Sequence, residues 1–567
     1  MKKTDHQSGI WKMIGPILIA LLLIVAAGSI FLIRKYTPTK EHMPAEEYFG
    51  VLAEDEVAVI LQDELLERRG ILRDGALYLD YQTVRESLNS RFFWDEEGEQ
   101  MLFTTALETY EIPVGSNEYT IDGILTSYEQ KILCQEADGL YLSADFLSQF
   151  TDMDYVLSSE PSRVRICTDW GSRLTASVTK DAPVRCLGGI KSPILTDMKK
   201  DREVTVLEEL ETWAKVVTDD GYIGYMKKSH LSAITETEVT HEFVPQEYSS
   251  LTREEPVRLA WHMIYADEAN EYLEDTISQM KGINVISPTW YSVEDNQGTI
   301  SSLASEEYVR IAHEAGLEVW ALVSNFSPDM DTTTLLSSTK ARRKMIDTLV
   351  TDALRLGIEG INLDFEYIRE ECGLSYVQFV RELSIACRKN GLVLSLDLPV
   401  PMDFNRYFNR RELGCVADYL IIMGYDEHYS GSEPGSVASL SFEENGITGT
   451  LAQDVPARKI LSGIPFYTRI WYTATGEDGS PVVNSEEISM SVVDNTLEYY
   501  DLNPTWDDST GQNYVAWNTD EGVLCQIWME DVRSLKEKIS LVDQYDLGGL
   551  AIWALGFEKP EVWDLLE

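Results

Sequence analysis

The chain has 567 residues, enough for more than one domain, and its 44% hydrophobic and 25% charged residues are ordinary for globular domains. Its 47 Lys and Arg against 95 Asp and Glu leave a net charge of −48. No net basic surface is then available to neutralise phosphates, which argues against nucleic acid and suits a soluble, self-repelling outer domain. Seven scattered cysteines without a C-x-x-C pair point to neither a zinc site nor a disulfide framework.

The first element is the uncharged stretch Ile14 to Ile33, 20 residues that match the thickness of a bilayer core. It is too long for a typical signal-peptide apolar region, and no small-residue cleavage site follows before Arg34 and Lys35. Residues 1–35 therefore read as a short tail and an uncleaved membrane anchor; that the tail is cytoplasmic and the bulk of the chain extracytoplasmic is an expectation that rests on the substrate the last domain implies. Charge does not fix the orientation, since Lys2, Lys3 and Lys12 precede the stretch and Arg34, Lys35 and Lys40 follow it.

Residues 36–175 read as a small α+β spacer. Residues 41–70 are acidic and partly helical, with Val57, Ile60, Leu61 and Leu65 near helix spacing. A weak repeat follows: Asp74-Gly75-Ala76-Leu77-Tyr78-Leu79 returns as Asp138-Gly139-Leu140-Tyr141-Leu142, and a short helical segment comes after each copy. This loosely resembles the stalk-like domain named after the N-terminus of copper amine oxidases, but nothing looks like a copper site. Residues 176–236 carry short β-rich runs, Val204 to Leu207, Trp213 to Val217 and Tyr222 to Tyr225, with a turn at Asp219-Asp220-Gly221. They resemble a bacterial SH3-like module, a kind that often binds wall peptides or glycans. Trp213 is expected in its core. An acidic linker, Thr235 to Pro256, leads to the last domain, 250–567.

There, eight strand-like runs alternate with helical ones: Arg258–Ile264, Ile283–Tyr291, Leu317–Asn325, Gly360–Glu366, Val393–Val400, Tyr419–Tyr425, Lys459–Tyr467 and Gly548–Leu555. Such alternation predicts a parallel sheet, and eight units over about 310 residues predict an α/β fold, a (β/α)8 barrel. A Gly-, Ser-, Asp- and aromatic-rich insertion, Ile470 to about Glu530, falls between strands seven and eight. Ser375 and Gln378 form a capping-box pattern ahead of the apolar face Tyr376, Phe379, Val380, Leu383 and Cys387. Trp290 and Trp320 read as barrel-layer residues.

The chemistry is concentrated in Glu359-Gly360-Ile361-Asn362-Leu363-Asp364-Phe365-Glu366. A helical run from Ala341 to Leu356 precedes it, stopped by Gly357. Ile361, Leu363 and Phe365 fall on one face of the strand, and Asn362, Asp364 and Glu366 on the other. A polar stripe inside a covered parallel sheet is unexpected for packing. Two carboxylates two residues apart raise each other's cost of ionisation, so one can keep a proton near neutral pH. A held proton beside a held negative charge suits glycosidic bond cleavage.

The octapeptide resembles the signature D-G-x-[DN]-x-[DN]-x-E of glycoside hydrolase family 18, with Glu359 in place of the first Asp. Three more strand ends match: Met423-Gly424-Tyr425-Asp426 resembles M-x-Y-D, Gly463-Ile464-Pro465-Phe466-Tyr467 resembles G-x-P-x-Y, and Trp553 stands where the family has its subsite tryptophan. Over about 256–567 the chain is most similar to the spore-cortex and cell-wall N-acetylglucosaminidase branch. The resemblance implies that Glu366 is general acid and then base, and that Asp364 holds the substrate's acetamido N–H. Asn362 would support Asp364, and Tyr425 would bond the acetamido oxygen as it attacks the anomeric carbon. Asp426 would line the subsite and Trp553 would stack on the sugar, with Met423 and Tyr467 also at the substrate. It implies no cofactor or metal, a partner glycan of the cell wall, and possession of the terminal Glu that inactive, lectin-like members lack. A metal hydrolase finds little support: of the seven histidines only His262 and His428 fall near barrel strands, and no H-E-x-x-H is present.

Overall fold

The structure is a computed structural model and describes residues 8–566. Contacts divide the chain into two compact units, one of residues 1–90, 114–117 and 128–245 and the other of 91–113, 118–127 and 246–567.

In the first unit a helix spans Ser8–Tyr36, and its segment Pro16–Tyr36 is long and apolar enough to cross a membrane, with none of it buried. The helix expected within 41–70 is confined to Ala45–Phe49; Glu56–Leu61 and Glu64–Arg73 form an antiparallel hairpin instead. The β-branched Val57, Val59 and Ile60 favour the pleated surface, and this outweighs the i, i+3, i+4 spacing. The two copies of the repeat are strands Ala76–Asp80 and Gly139–Ser143, which pair antiparallel with each other. Each ends in its own helix cap, Asp80 accepting from the Thr83 N–H and Ser143 from the Phe146 N–H.

The SH3-like part is a seven-stranded sheet, with the expected turn joining Trp213–Thr218 to Ile223–Lys227. Thr235–Val239, expected as linker, is an edge strand paired with Gly171–Ser177; its alternating Glu residues lie on an exposed face and read locally as a charge run. Trp213 lies outside the core. It is half-buried beside Lys227, whose ammonium stands 5.8 Å from the ring centroid, and it lines a groove of about 590 Å³ with Ile190 and Thr212.

The second unit is a closed parallel barrel of eight strands: β1 Val257–His262, β2 Val285–Pro288, β3 Glu318–Ser324, β4 Gly360–Asp364, β5 Val393–Pro399, β6 Tyr419–Met423, β7 Ile460–Pro465 and β8 Gly549–Trp553. Each pairs with its chain neighbour, and β8 pairs with β1 to close the ring. Six helices on the outside matter below: α1 Glu306–Glu314, α2 Thr339–Leu356, α3 Glu370–Asn390, α4 Arg410–Val416, α5 Leu440–Leu451 and α6 Val532–Gln544. Outward-facing Ile361, Leu363 and Phe365 pack with Met345 and Leu349 of α2 and Phe379 and Leu383 of α3. Inside the barrel Trp261, Trp320, Leu322, Tyr419 and Ile421 fill the lumen, with Trp320 stacked on Tyr419 at 5.4 Å. Trp290 is buried in the outer layer.

α3 begins at Glu370, five residues ahead of the expected cap, so Ser375 and Gln378 are buried inside it. The start is held instead by Cys372, whose sulfur accepts from the Arg369 N–H at 3.3 Å. The insertion is a five-stranded antiparallel sheet from Thr468 to Met529 with one helix, Met490–Tyr500. A second sheet, residues 92–127, also belongs almost wholly to this unit, tied by Arg343–Glu111 (2.7 Å) and Lys389–Asp122 (2.6 Å) to α2 and α3. The expected 36–175 spacer is therefore interrupted by strands that pack with the barrel, a long-range pairing with no local signal.

Candidate active site

The site begins with the start of β4. Gly357 takes the left-handed conformation (φ +75°) that ends α2, and Gly360 lets the Trp320 ring approach to 2.8 Å of where a Cβ would stand. Glu359 stays at the bottom of the barrel, accepting from the Val319 N–H at 2.9 Å and pairing with His313 at 3.0 Å. The alternation then carries Asn362, Asp364 and Glu366 up the inner face.

Asn362 is fully buried. Its Oδ1 accepts from Trp261 Nε1 at 2.8 Å and Ser287 Oγ at 3.2 Å; its Nδ2 donates to Ser395 Oγ at 3.0 Å and Asp397 Oδ1 at 2.8 Å. An amide with both ends committed this way is a strut below the cleft. It reaches Asp397 on β5, the one contact in this set to a carboxylate.

Asp364 is 7% exposed, and its buried Oδ1 has no hydrogen-bond partner among the described residues. Burial first, and the Glu366 charge second, push its carboxyl up to about 8. Glu366 is half-buried. Burial, then the Asp426 charge, raise its carboxyl above the ordinary range. Its backbone is clamped by Asn325 at the end of β3, which is buried: Asn325 Oδ1 accepts the Glu366 N–H at 2.9 Å and Asn325 Nδ2 donates to the Glu366 carbonyl at 3.0 Å. Such a clamp fixes the direction of the carboxyl without touching it.

A cleft of about 570 Å³ opens at the C-terminal ends of β4 to β6 and brings together Glu366, Met423, Tyr425 and Asp426. Its rim carries the exposed side chains of Tyr367, Met402, Phe404 and Tyr429. Tyr467, buried just behind, donates its hydroxyl to Asp426 Oδ1 at 2.5 Å and stands edge-on to Tyr425, 6.4 Å between centroids. That hydrogen bond and Arg469 favour the charged form of Asp426, while burial opposes it more strongly. Trp553 is at the end of β8, half-buried and edge-on to Trp261 at 5.6 Å, outside the lining of this cleft.

Sequence reasoning missed Asn325, Ser395, Asp397 and the buried pair Tyr376 and Arg410. Their only signal was polarity at the ends of apolar strands or inside a helix. Among the described residues no group of three or more His, Cys, Asp or Glu is gathered as a metal site would need. His262 bonds Tyr308 at 2.9 Å and His428 the Glu433 carbonyl at 3.0 Å.

A carboxyl held above the ordinary range just past the fourth strand of a closed parallel barrel, facing a cleft, suits a barrel glycosidase. The chain belongs to the glycosyl hydrolases of family 18, whose sequence profile matches residues 262–558. The bacterial SH3 domain profile matches residues 188–232. Glycosylase YvbX of Bacillus subtilis is 25% identical over 293 residues, 50% of this chain and 83% of that protein. The cortical fragment-lytic enzyme of Bacillus subtilis is 29% identical over 242 residues; they make up 41% of this chain and only 54% of the relative. A solved C-terminal domain of a candidate chitinase from Desulfitobacterium hafniense superposes with a TM-score of 0.51 at 22% identity, covering 55% of this chain and 98% of that one, and shows the same fold.

Proposed function

We propose that the protein is a membrane-anchored hydrolase of β-1,4-linked N-acetylglucosamine glycans, with peptidoglycan its first substrate and chitin-like polymers second, acting by a substrate-assisted retaining route. The observation that carries this is the Glu366 carboxyl at the cleft, its backbone clamped by Asn325 and its affinity for a proton raised by burial and by Asp426, the direction a general acid needs.

Glu366 gives that proton to the glycosidic oxygen as the C1–O bond breaks. The substrate's own acetamido oxygen closes on C1 and forms a cyclic intermediate, so no second enzyme carboxylate is needed as nucleophile. Asp364, two residues before Glu366 on the same inner face, accepts the acetamido N–H and stabilises the positive charge that develops there. The Tyr425 hydroxyl, held neutral by burial, donates to the acetamido oxygen and orients it. Glu366, now ionised, takes a proton from water; the hydroxyl adds to C1 and the ring reopens with retained configuration. Asp426, fixed by Tyr467, lines the sugar subsite with Met423, and Trp553 supplies an aromatic face.

The apolar helix Pro16–Tyr36 anchors the chain with its body outside, where the wall glycan lies. The groove at Trp213 gives the SH3-like part a place to hold wall polymer. The test uses the full chain in detergent micelles, with Glu366→Gln as control. Both are incubated with purified peptidoglycan and with N-acetylglucosamine oligomers. New reducing ends from the wild type alone support the reading, and the products name the bond. No cleavage by either, with the polymer still bound, would make the barrel a binding module.

A further inference from the structure

Strand register fixes how Asp397 stands to Asp364. β4 and β5 run parallel, with Asn362 opposite Ser395 and Leu363 opposite Leu396. The paired ladder ends at that step; the same register carried one residue on sets Asp364 level with Asp397, on strands that lie about 4.8 Å apart in a sheet. Alternation sends both side chains to the inner face, above Asn362 and Ser395. Asp397 is 1% exposed. Its Oδ1 receives the Asn362 Nδ2–H, and Asn362 cannot turn away because Trp261 and Ser287 hold its other end.

The groups around the pair come from several elements. Glu366 follows β4, Tyr425 and Asp426 follow β6, Tyr467 follows β7, Tyr376 comes from α3 and Arg410 from α4. Arg410 is the cation of this group, and it is fully buried. Its guanidinium donates to the Pro399 carbonyl at 2.7 Å and to Asn405 Oδ1 at 3.1 Å. Neither carboxyl of the pair therefore has a direct cationic partner in it. Two level carboxylates in so dry a place cannot both stay ionised. Burial, then the Glu366 charge, push Asp364 upward; burial, then the Asp364 charge, push Asp397 upward, and the Asn362 hydrogen bond opposes this at Asp397.

We propose that Asp397 is the positioning partner of Asp364: the two carboxyl groups share one proton across the β4–β5 step, which fixes the orientation of the buried Asp364 carboxyl beside Glu366. This rests on the role given to Asp364 above. One O–H bond is shared within the pair, and the proton is neither consumed nor supplied during turnover.

Infrared spectroscopy of the full chain tests it in a Glu366→Gln background, which removes the Glu366 proton from the spectrum. At neutral pH, adding Asp397→Asn or adding Asp364→Asn removes the same neutral-carboxyl C=O band, because each acid keeps the proton only in the other's presence. A band that survives either substitution would mean a lone acid held neutral by burial, and would overturn the sharing. Kinetics give a second readout in the chain with Glu366 intact. Asp397→Asn retains an acceptor for Asn362 and a donor for Asp364, so it rescues the position. Asp397→Leu offers neither and loses about 10²-fold more kcat than Asp397→Asn, with KM little changed. Equal kcat for the two variants would also overturn the proposal. A wild type that cuts no glycan would refute the functional reading and leave the infrared result standing on its own.

Discussion

Replacing Asp364 by Asn is expected to exchange activity for stability. The folded chain holds its carboxyl at about 8 against an ordinary 3.8, through burial first and the Glu366 charge second. In that window the folded state binds a proton that the unfolded state has released. The favourable term is complete at acid pH, below the unfolded value, and is lost as pH rises to the folded value. At about 1.4 kcal/mol per pH unit the whole window comes to about 6 kcal/mol. Asp364 and Asp397 titrate together, so this is an upper bound on what removing Asp364 recovers. The amide has the shape of the neutral acid and no charge to bury. Denaturant unfolding of the full chain in micelles, followed by the fluorescence of Trp261 and Trp320 in the barrel, gives the comparison. It is run from about pH 5.5, above the sequence pI of 4.4, to about pH 8.5. The stability gap in favour of Asp364→Asn widens across that range while glycan cleavage is lost. A gap that does not change with pH, or a variant less stable at the alkaline end, would refute the burial reasoning.

Other outcomes follow from the same geometry. Glu366→Gln lowers kcat by about 10³-fold or more with unchanged circular dichroism, as loss of a proton donor does. Activity that needs protonated Glu366 is present below its raised pKa and falls as pH rises through it. Tyr467→Phe removes the 2.5 Å hydrogen bond that favours charged Asp426. Asp426 then stays protonated to higher pH, Glu366 loses that neighbouring charge, and the basic limb of kcat/KM moves to lower pH; an unmoved limb would count against this coupling. Lys538 on α6 is fully buried against Glu530, at the edge of the insertion sheet. Lys538→Ala leaves that carboxylate unpaired and costs about 3–5 kcal/mol in unfolding experiments, while Lys538→Met with Glu530→Gln recovers most of it.

The barrel was legible because its signals are local. Each strand is an apolar run of the right length, and the covered sheet makes the Asn362-Asp364-Glu366 stripe stand out against it. The hairpin at Glu56–Arg73 was not legible, since Val57, Ile60 and Leu61 fit helix spacing as well as a strand whose inward and outward residues are both buried. The start of α3 was missed for a related reason: Cys372 caps through sulfur, a weak acceptor that no capping pattern includes. At the site, the residues that touch the cleft were read from one strand and two strand ends. Their supports were not. Asp397 is one acid in the apolar run from Val393 to Val400, and only the β4–β5 register brings it level with Asp364. Asn325 likewise meets Glu366 through 41 residues of sequence separation.

The most direct measurement follows the anomer first formed from N-acetylglucosamine oligomers by NMR, beside the rate on the same oligomers stripped of their acetyl groups. If the acetamido group is the nucleophile and Glu366 the acid, the β-anomer appears first and the stripped oligomers are not cut. Release of the α-anomer first, or equal cleavage of the stripped oligomers, would contradict a substrate-assisted site built on Glu366, Asp364 and Tyr425.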